Sequence, residues 1–161
     1  MHKQLFIYGD DIDTDRIIPG KYTKTLDSKE LARHAFEDLD PTFRDLVQPG
    51  ALVVAGLNFG CGSSREQAAI AIKAAGVAAV IARSFARIFF RNAINIGLPL
   101  LEIPDHDIGP DSLLNIDLIT GTVSDFHRDR RYQVEPLPTF LQSIIAAGGL
   151  AAYMRQHGGY C

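Results

Sequence analysis

The chain of 161 residues has no tryptophan, only two methionines and only two cysteines. Cys61 and Cys161 stand far apart, which offers neither a disulfide framework nor a cysteine cage for a metal. An excess of one charge is missing too: sixteen Lys and Arg against nineteen Asp and Glu leave a net charge of −3. That balance gives no electrostatic pull toward nucleic acid or an anionic membrane. No apolar run approaches the ~18 residues of a membrane-crossing helix. Near the N-terminus, Asp10 and Asp11 arrive before an apolar segment of signal-peptide length can form. There is no internal repeat, low-complexity tract or clear linker. These absences lead to the expectation of a soluble, cytoplasmic chain folded as one domain over residues 1–161. The composition, 47% hydrophobic and 22% charged, is that of an ordinary globular protein. A chain of this length buries roughly two thirds of its surface and needs no staples.

Leu5-Phe6-Ile7-Tyr8 reads as a short strand stopped by Gly9-Asp10. The acidic stretch from Asp10 to Asp27 is too irregular for a helix. Leu31, Ala35 and Leu39 recur at four residues and predict a helix over 28–39. Asp40-Pro41 ends it, because a residue before proline is pushed out of the α region. Residues 51–55 and 77–82 are continuous apolar runs, the signature of strands covered on both faces, and 98–103 is a third strand. Between them lie helices over 65–75, followed by Gly76, and over 85–95, with Ser84 as N-cap and Gly97 beyond the end. This alternation predicts a βαβαβ unit on a parallel sheet, an α/β fold. Residues 113–119 and 122–127 alternate apolar and polar around Thr120-Gly121, which predicts a hairpin. An amphipathic helix over 137–147 follows, with Pro138 in its first turn and Phe140, Ile144 and Ile145 on its buried face. Gly148-Gly149 separates it from a short last segment.

The segment that carries chemistry is Asn58-Phe59-Gly60-Cys61-Gly62-Ser63-Ser64-Arg65-Glu66. It joins a buried strand to a helix at the carboxyl end of the strand, where open α/β sheets bind ligands. Ser63, Ser64 and Arg65 fall at the helix N-terminus, where free N–H groups and the helix dipole favour anions. Two hydroxyls and a guanidinium there suit a carboxylate or a phosphate. The spacing matches neither the P-loop nor the dinucleotide fingerprint. A capped glycine-rich turn with an exposed arginine accounts equally well for the composition alone.

The same nine residues resemble the signature of the small subunits of 3-isopropylmalate dehydratase, in the aconitase superfamily. The likeness continues through Gly9-Asp10-Asp11-Ile12-Asp13-Thr14-Asp15-Arg16-Ile17-Ile18-Pro19, residues 84–93 and 95–99, Pro136-Leu137-Pro138 and Ala147-Gly148-Gly149-Leu150. The resemblance implies the swivelling β/β/α domain of aconitase, detached as its own chain. It implies a hydro-lyase active only with a large subunit, as a heterodimer or heterotetramer. That partner would hold a 4Fe-4S cluster whose open iron acts as Lewis acid on the departing hydroxyl; this chain would bind no cofactor. By the same resemblance Ser63 is the catalytic base, and Ser64 and Arg65 hold the substrate carboxylate. A serine is a poor base unless its anion is stabilised by N–H groups and a cation in a site closed to water.

Two positions depart from the family pattern. Gln67 stands where a histidine is usual, and an amide donates and accepts hydrogen bonds but cannot titrate. The loop associated with substrate choice reads Tyr22-Thr23-Lys24-Thr25, against Tyr-Leu-Arg-Thr in homoaconitase-type members. Thr23 and Lys24 are therefore substrate-binding candidates: Lys24 keeps a cation suited to an extra carboxylate, without the fork of arginine. The reading is isopropylmalate, with homoaconitate or another substituted malate as the alternative.

Other features carry competing readings. Asp10, Asp11, Asp13 and Asp15 lack the glycine and terminal glutamate of a calcium loop and are expected to shape a turn. Cys61, close to a helix N-terminus, would have a lowered pKa in a thiol enzyme, with His34 or His106 brought near by folding. A stand-alone anion-binding module would keep the pocket and have no need of Ser63. Arg83, Arg87 and Arg91 form a helical stripe, either a solvated face or a docking surface for the large subunit. His2, His34, His106, His127 and His157 show no metal spacing and read as surface or capping residues.

Overall fold

The computed structural model describes residues 3–158; His2 and Cys161 lie outside them. A four-stranded parallel sheet is formed by β1 (Leu5–Ile7), β2 (Ala51–Val54), β3 (Val77–Ala82) and β4 (Leu100–Glu102), in that spatial order. The predicted βαβαβ unit is its centre, with α4 (Glu66–Ala74) between β2 and β3 and α5 (Arg87–Ile96) between β3 and β4. The continuous apolar strands have the reason anticipated: they are covered on both sides. Ala51, Val53, Val80 and Ala82 face a helical layer, while Leu52, Val54, Ala79 and Ile81 face a second sheet. That sheet is antiparallel, with strands β5 (Leu114–Asp117), β6 (Thr122–Asp125) and β7 (Arg130–Gln133). Leu114, Val123 and Tyr132 point inward from its three strands. Antiparallel sheet, parallel sheet and helices together make the β/β/α arrangement.

Several local expectations are corrected. The stretch from Asp10 to Asp27 does hold a helical turn, α1 (Thr14–Ile17), because the Asp13 carboxylate accepts from Arg16 N at 2.9 Å and caps it. A 3-10 turn over Gly20–Tyr22 follows. The helix expected over 28–39 is regular only as α2 (Ser28–Arg33), and a further short helix, α3 (Phe43–Leu46), precedes β2. Ser84 is not an N-cap: its hydroxyl accepts from Asn58 N at 2.7 Å, and α5 begins after Ala86. Arg83 therefore lies outside α5 and donates to the His106 carbonyl at 2.8 Å, so the three arginines form no helical stripe.

The late helices α6 (Thr139–Ala147) and α7 (Leu150–Gln156) pack on α5. On α6, Ile144 is buried, but Phe140 is 57% exposed and meets Tyr153 edge-on instead of entering the core. The Lys73 ammonium donates to the carbonyls of Ile96 and Gly148 at 2.6 and 2.8 Å, satisfying C-terminal groups of α5 and α6 together. No helix among the described residues is long and apolar enough to cross a membrane.

Candidate functional site

The loop from Asn58 to Arg65 leaves the carboxyl end of β2 and is held from two sides. On one side is the segment after β1. Asp10 accepts from Leu57 N at 2.7 Å, and Asn58 donates its side-chain amide to Asp11 at 3.1 Å. Gly60 N donates to the Ile12 carbonyl at 2.8 Å, and Thr14 N to the Cys61 carbonyl at 2.8 Å. The Thr14 hydroxyl donates to the Ser63 carbonyl at 3.0 Å. The acidic cluster thus shapes the backbone through the Asp10 and Asp13 carboxylates, as expected, while Asp11 takes the Asn58 side chain. On the other side, Phe59 N donates to the Ser84 carbonyl at 3.0 Å and Ala86 N to the Phe59 carbonyl at 2.9 Å. Phe89 packs its ring on Phe59 with centroids 5.3 Å apart.

Between these supports lies a small open cavity of about 200 Å³. Thr14, Gly60, Gly62, Ser63, Ser64 and Arg65 line one side, and residues 86–89 line the other. Ser63 and Ser64 are exposed and Arg65 is half-buried. No side chain caps the N-terminus of α4, so its first N–H groups keep their capacity to bind an anion. The Arg65 guanidinium is ion-paired through Nη1 with the Asp15 carboxylate. Three of the sequence-predicted residues, Ser63, Ser64 and Arg65, therefore share one cavity.

Thr23 and Lys24 do not line it. Their loop is nevertheless tied to the same end of α4: Gln67 Nε2 donates to the Thr23 carbonyl at 3.0 Å. Gly20 stands over Arg65, so close that a Cβ there would lie 3.4 Å from Nη2. Lys24 is exposed, with no ion pair or side-chain hydrogen bond among the described residues. Sequence reasoning missed the direct involvement of Thr14 and Asp15 and the wall built by residues 86–89. The Asp13-Thr14-Asp15 run was visible, but its pairing partner is fifty positions away.

Cys61 is corrected. Its thiol is pushed up from the ordinary range by burial, then by the Asp13 and Asp11 carboxylates, opposite to what a nucleophile needs. The histidines are engaged elsewhere. His106 is buried with Nε2 2.8 Å from the Ala55 carbonyl, so it is neither a surface nor a capping residue. His34 stacks on Tyr22 with centroids 3.7 Å apart and contacts Glu30 and Glu37. Among the described residues no group of three or more His, Cys, Asp or Glu is placed to hold a metal ion.

Residues 11–106 match the family model described as the aconitase C-terminal domain. The 3-isopropylmalate dehydratase small subunit of Moorella thermoacetica is 57% identical over 149 residues, 91% of this chain and 90% of that protein. Small subunit 1 of the same enzyme from Methanopyrus kandleri is 49% identical over 155 residues, covering 95% and 91%. The crystal structure of 3-isopropylmalate dehydratase (leuD) from Methanocaldococcus jannaschii superimposes with a TM-score of 0.89 at 44% identity, covering 97% of this chain and 93% of that one. A family model over residues 11–106 and relatives 49–57% identical over nine tenths of the chain show that it belongs to the 3-isopropylmalate dehydratase small-subunit family.

Proposed function

We propose that the chain is the small subunit of a hydro-lyase that interconverts 2-isopropylmalate and 3-isopropylmalate through 2-isopropylmaleate, a step of leucine biosynthesis carried out in the cytoplasm with a large subunit. The observation that carries this reading is the placement of Ser63, Ser64 and Arg65 around one cavity at the uncapped N-terminus of α4. Ser63 is the base that removes the proton α to a carboxylate. Its hydroxyl titrates far above neutrality unless its anion is stabilised, and the N–H groups of α4 and the Arg65 cation provide fixed positive potential for that. Ser64 and Arg65 bind the substrate carboxylate; Asp15 holds the guanidinium by Nη1.

The described residues do not fit an iron-sulfur cluster, since Cys61 is the lone cysteine among them. The cluster belongs on the partner. Partner dependence has a second support. Ser63 is exposed in an open cavity, whereas an alkoxide base needs water excluded, and the described residues supply no lid over the loop. Ile88 on the cavity wall and Leu57 at the loop entrance are 51% and 50% exposed, apolar positions for a covering surface. Homoaconitate or another substituted malate stays as the second reading, favoured by the exposed Lys24 beside the Arg65 end of α4.

The test is anaerobic turnover of 2-isopropylmalate and homoaconitate by the chain alone and with its large subunit. Activity is expected only in the mixture, with isopropylmalate the faster substrate. Ser63→Ala should lower kcat by roughly 10²–10⁴-fold with KM within a few-fold, as for loss of a general base. Full turnover in Ser63→Ala would reduce the chain to an anion-binding module.

A further inference from the structure

We infer that Thr14 is the positioning residue of Ser63: it holds the backbone of the glycine-rich loop so that the serine hydroxyl stays fixed beside the N-terminus of α4. The inference rests on the reading of Ser63 as base given above. Thr14 is 3% exposed, opens α1 and lines the same cavity as Ser63. It reaches the loop twice. Its N–H donates to the Cys61 carbonyl at 2.8 Å, and its hydroxyl donates to the Ser63 carbonyl at 3.0 Å.

The loop needs such support. Gly60 and Gly62 both lie at positive φ, and glycine loses more conformational freedom on ordering than any other residue. Gly60 is locked by the Phe89 ring and by its bond to the Ile12 carbonyl. Gly62 has no such lock: a Cβ there would lie at an ordinary 3.5 Å from Asp13 Cβ and Thr14 Oγ1. Among the described residues the N–H groups of Gly62, Ser63 and Ser64 donate to no protein acceptor, so this stretch is held through its carbonyls. The two carbonyls that Thr14 binds belong to the peptides on either side of Gly62 and Ser63, and both residues are placed between fixed planes. A trans peptide sets its N–H opposite its C=O. Drawing the Cys61 and Ser63 carbonyls toward Thr14 therefore turns the Gly62 and Ser64 N–H groups away from it. One residue fixes both the Ser63 backbone and the donors beside it. Arg65 has a separate anchor in Asp15, and α1 has its cap in Asp13. Loss of the Thr14 hydroxyl thus falls on the placement of the base and not on capture of the carboxylate.

Two variants and two readouts test this. Thr14→Val keeps the shape and the N–H bond but removes the hydroxyl donor, whereas Thr14→Ser keeps the donor. In the reconstituted enzyme with 2-isopropylmalate, Thr14→Val should lower kcat about 10- to 100-fold, the scale of a misplaced catalytic group, with KM within about twofold. Thr14→Ser should recover most of the wild-type kcat. In the free chain, the NMR order parameters of the Ser63 and Ser64 amides should fall in Thr14→Val from ~0.85 to below ~0.6, while those of β2 and β3 stay unchanged. In a Ser63→Ala background, Thr14→Val should lower kcat no further, because the two residues act as a unit. Wild-type kcat in Thr14→Val, a KM that rises as kcat falls, or a Thr14→Ser variant as slow as Thr14→Val would overturn the inference and leave Ser63 as base. Full turnover in Ser63→Ala would instead overturn the base, and the positioning role with it.

Discussion

Gly60 lies at φ +82° against the ring of Phe89, and a Cβ added there would overlap Phe89 Cβ and Cγ and lie 2.8 Å from Cδ1. Alanine at this position therefore meets two penalties. Holding an L-residue in the left-handed region costs about 1–2 kcal/mol. Forcing a methyl group into Phe89, which is 2% exposed and wedged between Phe59 and Phe85, costs about 1–3 kcal/mol more. Gly62 is the control, because it shares the conformation at φ +92° but its nearest neighbour, Asp13 Cβ, lies at an ordinary 3.5 Å. Gly62→Ala should cost only the backbone penalty, so Gly60→Ala exceeds it by roughly 2 kcal/mol, the cost of overpacking. Urea unfolding of the free chain, compared at unchanged m, measures the difference. A double-mutant cycle with Phe89→Ala sharpens it: with the ring gone, the cost of Gly60→Ala should fall to that of Gly62→Ala. Equal costs for the two glycine variants, or a Gly60→Ala cost indifferent to Phe89, would refute the close approach as what holds the loop in place.

Two pH predictions follow from the charges. The Cys61 thiol should alkylate more slowly at neutral pH than a free cysteine peptide, with the rate rising only at higher pH. Asp13→Asn, which keeps the cap on α1, should move that profile down the pH scale; site-resolved mass spectrometry separates Cys61 from Cys161. For Asp125, burial pushes the carboxyl up, but hydrogen bonds from Ser112 and from the N–H groups of Leu113, Arg128 and His127 outweigh it and hold it below the usual range. A depressed carboxyl contributes stability that is present above its unfolded pKa of ~3.9 and lost as pH falls through the lower folded value. Asp125→Asn should remove that share of the acid loss in a pH series of urea midpoints. An unchanged acid limb would be the contrary result.

The strands and helices of the parallel layer were legible because each carries its own signal. An apolar run such as Val77–Ala82 has no polar residue to place at a surface, so it must be covered on both faces wherever it lies in the chain. Strand β7 had no such signal. Arg130, Arg131 and Gln133 are exposed, and Tyr132 is its one buried residue, held where its ring meets the inter-sheet core and its hydroxyl donates to Asp107. Three polar residues around one aromatic do not read as a strand until the partner β6 supplies the pairing. The turn α1 was hidden in a related way: its acidic residues suggested irregular chain, yet Asp13 serves as the N-cap that starts it.

The candidate site divides along the same line. Ser63, Ser64 and Arg65 are contiguous, and a strand, a glycine-rich turn and a helix are enough to bring them to a helix N-terminus. The resemblance adds roles but not the location, which local chain geometry already requires. What surrounds them is non-local: Asp15 on Arg65 and the Thr23 carbonyl on Gln67 are contacts across fifty and forty-four positions. Nothing in either segment announces the other, because an aspartate in an acidic run or a glutamine in a helix is compatible with open solvent. These contacts matter most where function is least legible. The contiguous motif suffices to place two hydroxyls and a cation at an uncapped helix N-terminus, whereas its anchoring to Asp15 and to the Thr23 backbone depends on chain that lies far away in sequence.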